Sequence, residues 1–215
     1  MYYVGIDLSG PANKKDTSLA VFCEIHKKVV YKCLYKNVSD CDIFEIIGGL
    51  VKQGKVNIAI DAPLSYQDGG GDRAQDKELR KVIKDLGMKS GSIMPPTLTK
   101  MVYITLRGMY LASLLKNEYN KQIEIVEVHP GAVLAFRLTP STRHLLAYKQ
   151  CDNYYEEILQ HIFFLHESGL ETKHIESNHD LDACLAAFAC YEYKERRHKW
   201  IYPAQPPFHR YPLIC

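Results

Sequence analysis

Acidic residues stand at the ends of apolar runs at several separate places in this 215-residue chain. Asp7 closes YYVGID, Asp61 closes VNIAID and Glu127 lies in IEIVEV, while Asp180 and Asp182 enter the Ala-rich segment NHDLDACLAAFA. A carboxylate that ends a buried β-run is costly to bury unless it is paired or bound to a cation. Its recurrence at three strand ends, with a further acidic site opening a helix, points to acids converging on a divalent cation. Mg²⁺ and similar hard ions take carboxylate and water oxygens, so three or four acids suffice. Each acid also has a plainer reading. Asp7 can bond the amides of the next turn, Asp61 can be a turn acid before Ala62-Pro63, and Asp180 can cap the helix. His129, two residues after Glu127, can be a ligand or proton shuttle, or the cap of a helix that begins at Pro130.

The elements that must position these acids follow from the hydrophobic pattern. Residues 2–8 read as a buried strand, a Gly10-Pro11 turn follows, and strands at 17–25 and 29–35 sit close enough for an antiparallel hairpin. Ser39 or Asp40 can cap a helix that carries Ile43, Ile46, Ile47 and Leu50 on one face. The strand at 56–61 then returns by a crossover and runs parallel to a neighbour. Gly69-Gly70-Gly71 opens a loop ahead of helices at 73–86 and 100–117, the second with Gly108 in its apolar stripe. A fifth strand spans 123–128, a short helix starts at Pro130, and helices at 152–167 and from about 180 to 197 follow. The tail from about 200 to 215, with Pro203, Pro206, Pro207 and Pro212, is expected to wrap the surface. The expectation is a single α/β domain over 1–215. Its mixed five-stranded sheet, an antiparallel meander followed by parallel crossovers, is flanked by helices on both faces. If the first and fourth strands are parallel neighbours, Asp7 and Asp61 emerge at one carboxyl edge, where open α/β sheets place their ligands.

Composition bounds the possibilities. A chain with 47% hydrophobic and 24% charged residues reads as an ordinary soluble globular protein. The net charge of +2 permits nucleic-acid binding without demanding it. Charge is uneven, however: from Arg73 to Arg107 there are eight Lys/Arg against three Asp/Glu, either a solvated helix face or a phosphate-binding one. The seven cysteines form no Cys-x-x-Cys pair, which excludes the common zinc frameworks and argues for reduced thiols. No apolar run approaches the roughly 18 residues of a membrane span, and Asp7 falls where a signal peptide would need its apolar core. A cytoplasmic protein without a membrane partner is expected.

Several segments together resemble a known family. These are GID with the strand behind it, IAIDAPLS, the Arg73/Arg80 helix after the glycine loop, Ser92 with Met94-Pro95, EVHPG and DLDACLAAFAC. The chain is similar to the RNase H-like superfamily, most closely to the predicted RNase H-like nucleases classed as domain of unknown function 429. The matching pieces span about residues 4–190.

The resemblance implies a two-metal phosphodiesterase, a metal-dependent nuclease acting on DNA or RNA. In that superfamily an aspartate on the first strand and acids on the fourth strand and last helix bind two divalent cations, Mg²⁺ or Mn²⁺. By position these would be Asp7, Asp61 and Asp182, with Glu127 a further catalytic candidate and Asp180 an alternative ligand. Asp182 is preferred because Ala-Cys-Leu-Ala-Ala follows it. Resolvase-like members carry a second acid three residues earlier, where this chain has His179. Arg73, Arg80 and His129 are the candidate substrate-binding residues. Two other outcomes fit the same fold: an ATP-binding phosphotransferase-like module, or a non-catalytic nucleic-acid-binding protein.

Overall fold

The computed structural model describes residues 1–26, 28–162 and 167–215. Strand β1 (Tyr2–Asp7) is apolar on both faces and takes a central place in one mixed sheet. On one side it pairs antiparallel with β2 (Ser18–Ile25), which pairs antiparallel with β3 (Lys28–Lys36). Helix α1 (Asp40–Val51) starts at a capping box, in which the Asp42 amide donates to Ser39 Oγ and the Ser39 amide donates to Asp42 Oδ2. That helix carries the chain over to β4 (Val56–Asp61), which runs parallel to β1 on its other side. After α2 (Ala74–Asp85) and α3 (Met101–Tyr119), β5 (Ile123–Val128) pairs parallel with β4. Then come α4 (Pro130–Ala135), α5 (Tyr154–His161) and α6 (Asn178–Lys194). Residues 163–166 of the helix expected over 152–167 lie outside the described residues.

Two corrections concern the sheet. It has seven strands rather than five, in the order β3-β2-β1-β4-β5-β7-β6. The extra two come from the tail expected on the surface: β6 (Ile201–Tyr202) pairs antiparallel with β7 (Leu213–Ile214), and β7 runs parallel beside β5. Leu213, Ile214 and Cys215 are buried. The prolines fit this arrangement, because Pro203 follows β6 and Pro212 precedes β7, outside the paired residues.

Strand alternation divides the core. Val4, Ile6, Ile58 and Ile60 face α1 and α3, whereas Tyr3, Ala59 and Val126 face the α6 side. α6 lies across β1, β2 and β4 at very close range. A β-carbon on Gly5 would stand 2.0 Å from the Ala183 carbonyl oxygen and 2.3 Å from the Ala187 nitrogen. Only a residue without a side chain permits this approach, and the small Ala183, Ala186 and Ala187 supply the helix surface that meets it. Among the described residues no helix is long and apolar enough to cross a membrane.

Candidate metal centre

Asp7 and Asp61 end β1 and β4 and stand level with each other in the parallel register. Period-two alternation sends both toward α6, with Gly5 and Ala59 two residues behind them. The Gly5 seam sets α6 directly over this sheet edge and brings Asp182 down to the pair. Asp7, Asp61 and Asp182 each offer a carboxylate oxygen, and these three atoms lie within 4.8 Å of one another. Such a set could hold a metal ion, and three oxygen donors of full charge suit a hard divalent cation.

The electrostatics show what this crowding costs. Burial raises the Asp61 carboxyl well above the ordinary carboxylate range, and the charges of Asp7 and Asp182 add to the shift. Burial raises Asp7 as well; its hydrogen bond with His179 pulls the other way without cancelling the rise, and Asp182 reinforces it. His179 Nδ1 sits 2.6 Å from Asp7 Oδ2, and that bond raises the imidazole's pKa against the opposing effect of partial burial. Asp182 is fully buried and held from two sides. Tyr148 donates its hydroxyl to Oδ1 at 2.5 Å, and Lys149 Nζ lies 2.7 Å from Oδ2. Burial works against the Lys149 ammonium, but Asp182 and Asp61 outweigh it and raise its pKa above the ordinary lysine value.

The other acids nominated from sequence stand outside the group of three, although Glu127 lines the same cleft. Asp180 is the third residue of the α6 capping box: it accepts from the Glu176 and Ser177 amides at 3.0 and 3.2 Å and from Ser18 Oγ at 2.6 Å. Two positions on a helix are about 200° apart around its axis, so Asp180 cannot share the direction of Asp182. Glu127 is level with Ile60 rather than with Asp61, and alternation turns it to the opposite face from the aspartates. Its carboxylate receives Arg73 Nη1 at 2.8 Å, Arg73 Nη2 at 2.5 Å and the Leu64 amide at 2.8 Å.

The nominated substrate-binding residues are similarly committed. Arg73 is buried, and its remaining donors go to Asp76 and Ser65. Arg80 is clamped by Asp72 through contacts of 2.5 and 2.6 Å and donates to the Ile93 carbonyl at 2.8 Å. His129 caps α4: Nδ1 accepts from the Ala132 amide at 3.1 Å, leaving Nε2 to donate to the Ser92 carbonyl at 3.0 Å. Burial lowers its pKa, in keeping with a neutral ring.

A cleft of about 380 Å³ opens at Asp7 and Asp61, with Asp182 buried beneath them. Its lining combines the charged Asp7, Asp16, Asp61, Arg73, Glu127 and Lys149 with the apolar Leu8, Ile93, Met94, Met101 and Ile104. Tyr148 and Lys149 escape a reading of the sequence because they follow a 3-10 turn (Arg143–Ala147) with no periodicity to flag them. His179 did leave a signal, since it stands three residues before Asp182 and so shares its side of α6.

A family model described as "Protein of unknown function (DUF429)" matches residues 5–205. No curated protein and no solved structure matches the chain.

Proposed function

The chain belongs to the DUF429 family, and we propose that it is a divalent-metal-dependent phosphodiester hydrolase, a nuclease built on an RNase H-like sheet. The observation that carries this reading is the level pairing of Asp7 with Asp61 on parallel strands, completed from α6 by the buried Asp182. These three carboxylates would hold Mg²⁺ or Mn²⁺, and we assign two ions to the site. Bound there, the ions supply electrostatic stabilisation of the attacking and leaving oxygens of an in-line displacement.

The chain's own residues do the rest. Asp7, Asp61 and Asp182 provide fixed negative charge at one point, while Tyr148 keeps the Asp182 carboxylate from rotating. His179, partly exposed at the cleft, holds a proton beside Asp7. The apolar lining residues Leu8, Ile93, Met94, Met101 and Ile104 offer a surface on which a base or sugar can pack. Nucleic acid, DNA or RNA, is the proposed substrate class. Its phosphates meet Lys77, Lys81 and Lys84, which are exposed at helical spacing along α2, rather than Arg73 and Arg80. The apolar lining also favours a second reading, an ATP-binding phosphotransferase, because it can seat a single base.

The test is hydrolysis by purified protein with Mn²⁺ of single-stranded, duplex and branched DNA and RNA, with ATP in parallel. Asp61→Asn and Asp182→Asn are each expected to remove the activity, and the double variant to be scarcely worse than either. Metal bound at these acids without hydrolysis of any nucleic acid would overturn the nuclease reading. Turnover of ATP alone would establish the second.

A further inference from the structure

Lys149 occupies the one place in the triad that a bound cation most needs. Its ammonium lies 2.7 Å from Asp182 Oδ2, while Oδ1 of the same carboxylate is tied to Tyr148. Asp182 therefore has one oxygen to offer, and Lys149 stands on it. The two contacts differ in kind. Tyr148 is buried, packed in the core and held through a rigid aromatic ring. The Lys149 side chain is 47% exposed, belongs to an irregular segment and lines the cleft itself. A lysine of this sort is a compact charge on a flexible four-carbon stem, able to withdraw without disturbing the backbone.

We propose that Lys149 is the exchangeable counter-ion of the aspartate triad, giving up Asp182 Oδ2 when a divalent cation binds and then holding a substrate phosphate in the cleft. The inference rests on the metal-dependent reading of the site. Three carboxylates within 4.8 Å repel one another, and the positive groups beside them are Lys149 and His179. His179 meets Asp7, so among the described residues Lys149 is the cation paired with the buried Asp182. The arrangement offsets part of the carboxylate repulsion in the metal-free protein and at the same time sets a threshold that metal must exceed. Once released, the ammonium is still within the same cleft, where the one arginine among the described lining residues, Arg73, is bound to Glu127 and Asp76. The residue would thus pass from one anion to another without leaving the site.

A purely structural ion pair makes the opposite forecast, and calorimetric titration with Mn²⁺ separates the two. Groups around a metal site change its affinity by about 10- to 100-fold. Lys149→Met is expected to bind Mn²⁺ at least about tenfold more tightly than wild type while hydrolysing substrate with a raised KM, and Lys149→Arg to keep wild-type metal affinity. Equal or weaker Mn²⁺ binding by Lys149→Met overturns the counter-ion role and leaves the metal reading standing. Mn²⁺ binding by Lys149→Arg as tight as that of Lys149→Met overturns it too, since charge would then not be the cause. Absence of Mn²⁺ binding in wild type and both variants overturns the inference together with the reading beneath it. Acylation of wild-type lysines, read by mass spectrometry, needs no variant to fold. Mn²⁺ without substrate should increase labelling at Lys149, and unchanged labelling with metal bound overturns the exchange.

Discussion

Arg73 and Glu127 satisfy each other's charge inside the protein. Parallel bonds of 2.8 and 2.5 Å join guanidinium to carboxylate, both side chains are almost wholly buried, and Asp76 takes the other edge of the arginine. The cleft they line therefore gains neither a free acid nor a free cation from them. Removing one partner strands a buried charge, which costs about 3–5 kcal/mol. Arg73→Met should lower stability in urea by about that amount, yet its folded fraction should keep the wild-type gain in melting temperature on adding Mn²⁺. A stable Arg73→Met protein that no longer responds to metal would return Arg73 and Glu127 to the site.

Asp61→Asn tests the triad through pH. The Asp61 carboxyl is raised, so its favourable contribution is complete below the ordinary carboxylate value of about 4 and is lost as pH rises through the folded-state value. In the presence of a chelator, wild type should weaken as pH rises above about 4, and Asp61→Asn should flatten that decline. The variant's advantage in melting temperature should grow with pH, and Mn²⁺ near neutrality should raise wild type alone. Parallel pH profiles for the two proteins would show that the aspartates do not strain the fold.

His179→Gln probes the contact at Asp7 in the opposite sense. The imidazole's pKa is raised chiefly by the hydrogen bond to Asp7, so its contribution is fully present below about 6.5 and disappears as pH climbs through the raised value. The gap in thermal stability between wild type and His179→Gln should be wide near pH 6 and close above that transition. An NMR titration of the His179 ring gives the same answer directly, and a midpoint at or below about 6.5 would contradict it.

Gly5→Ala addresses the seam rather than the acids. One methyl group has no room between β1 and the Ala183 and Ala187 backbone, so α6 must move away from the sheet. Overpacking of this kind costs about 1–3 kcal/mol or more. Because Asp182 rides on that helix, the Mn²⁺-dependent gain in melting temperature should fall with it. Wild-type stability in Gly5→Ala would mean the helix has slack that the packing does not indicate.

Much of this arrangement can be read from the chain before any coordinates. β1, β4 and β5 announce themselves as apolar runs, and the Ser39 cap marks the start of α1. Asp7 and Asp61 are legible because each ends such a run, and a crossover helix makes their strands parallel. Glu127 looks equivalent until the β4–β5 register is known: a one-residue difference in level turns it to the other face, and the sequence contains no record of register. β6 and β7 are two residues each, too short for alternation to appear, and their prolines read as surface chain. Asp180 and Asp182 were separable only in part, since both open the helix and only the capping bonds assign Asp180. Lys149 reaches Asp182 from an irregular segment, where composition and periodicity say nothing about direction.

Asp7 and His179 touch although they stand 172 positions apart in the chain. β1 can pair with β2 and β4 with only two of the three site acids side by side, but docking α6 onto the Gly5 seam brings the third against them. That step brings like charges together in the absence of metal, offset in part by Lys149, and it is expected to follow assembly of the strands it packs on. Stabilising contacts made after the transition state slow unfolding and leave the folding rate nearly unchanged. A cation at this edge of the sheet would thus act as a latch on the finished molecule: the unfolding limb of a denaturant chevron should slow with Mn²⁺ while the refolding limb stays where it was.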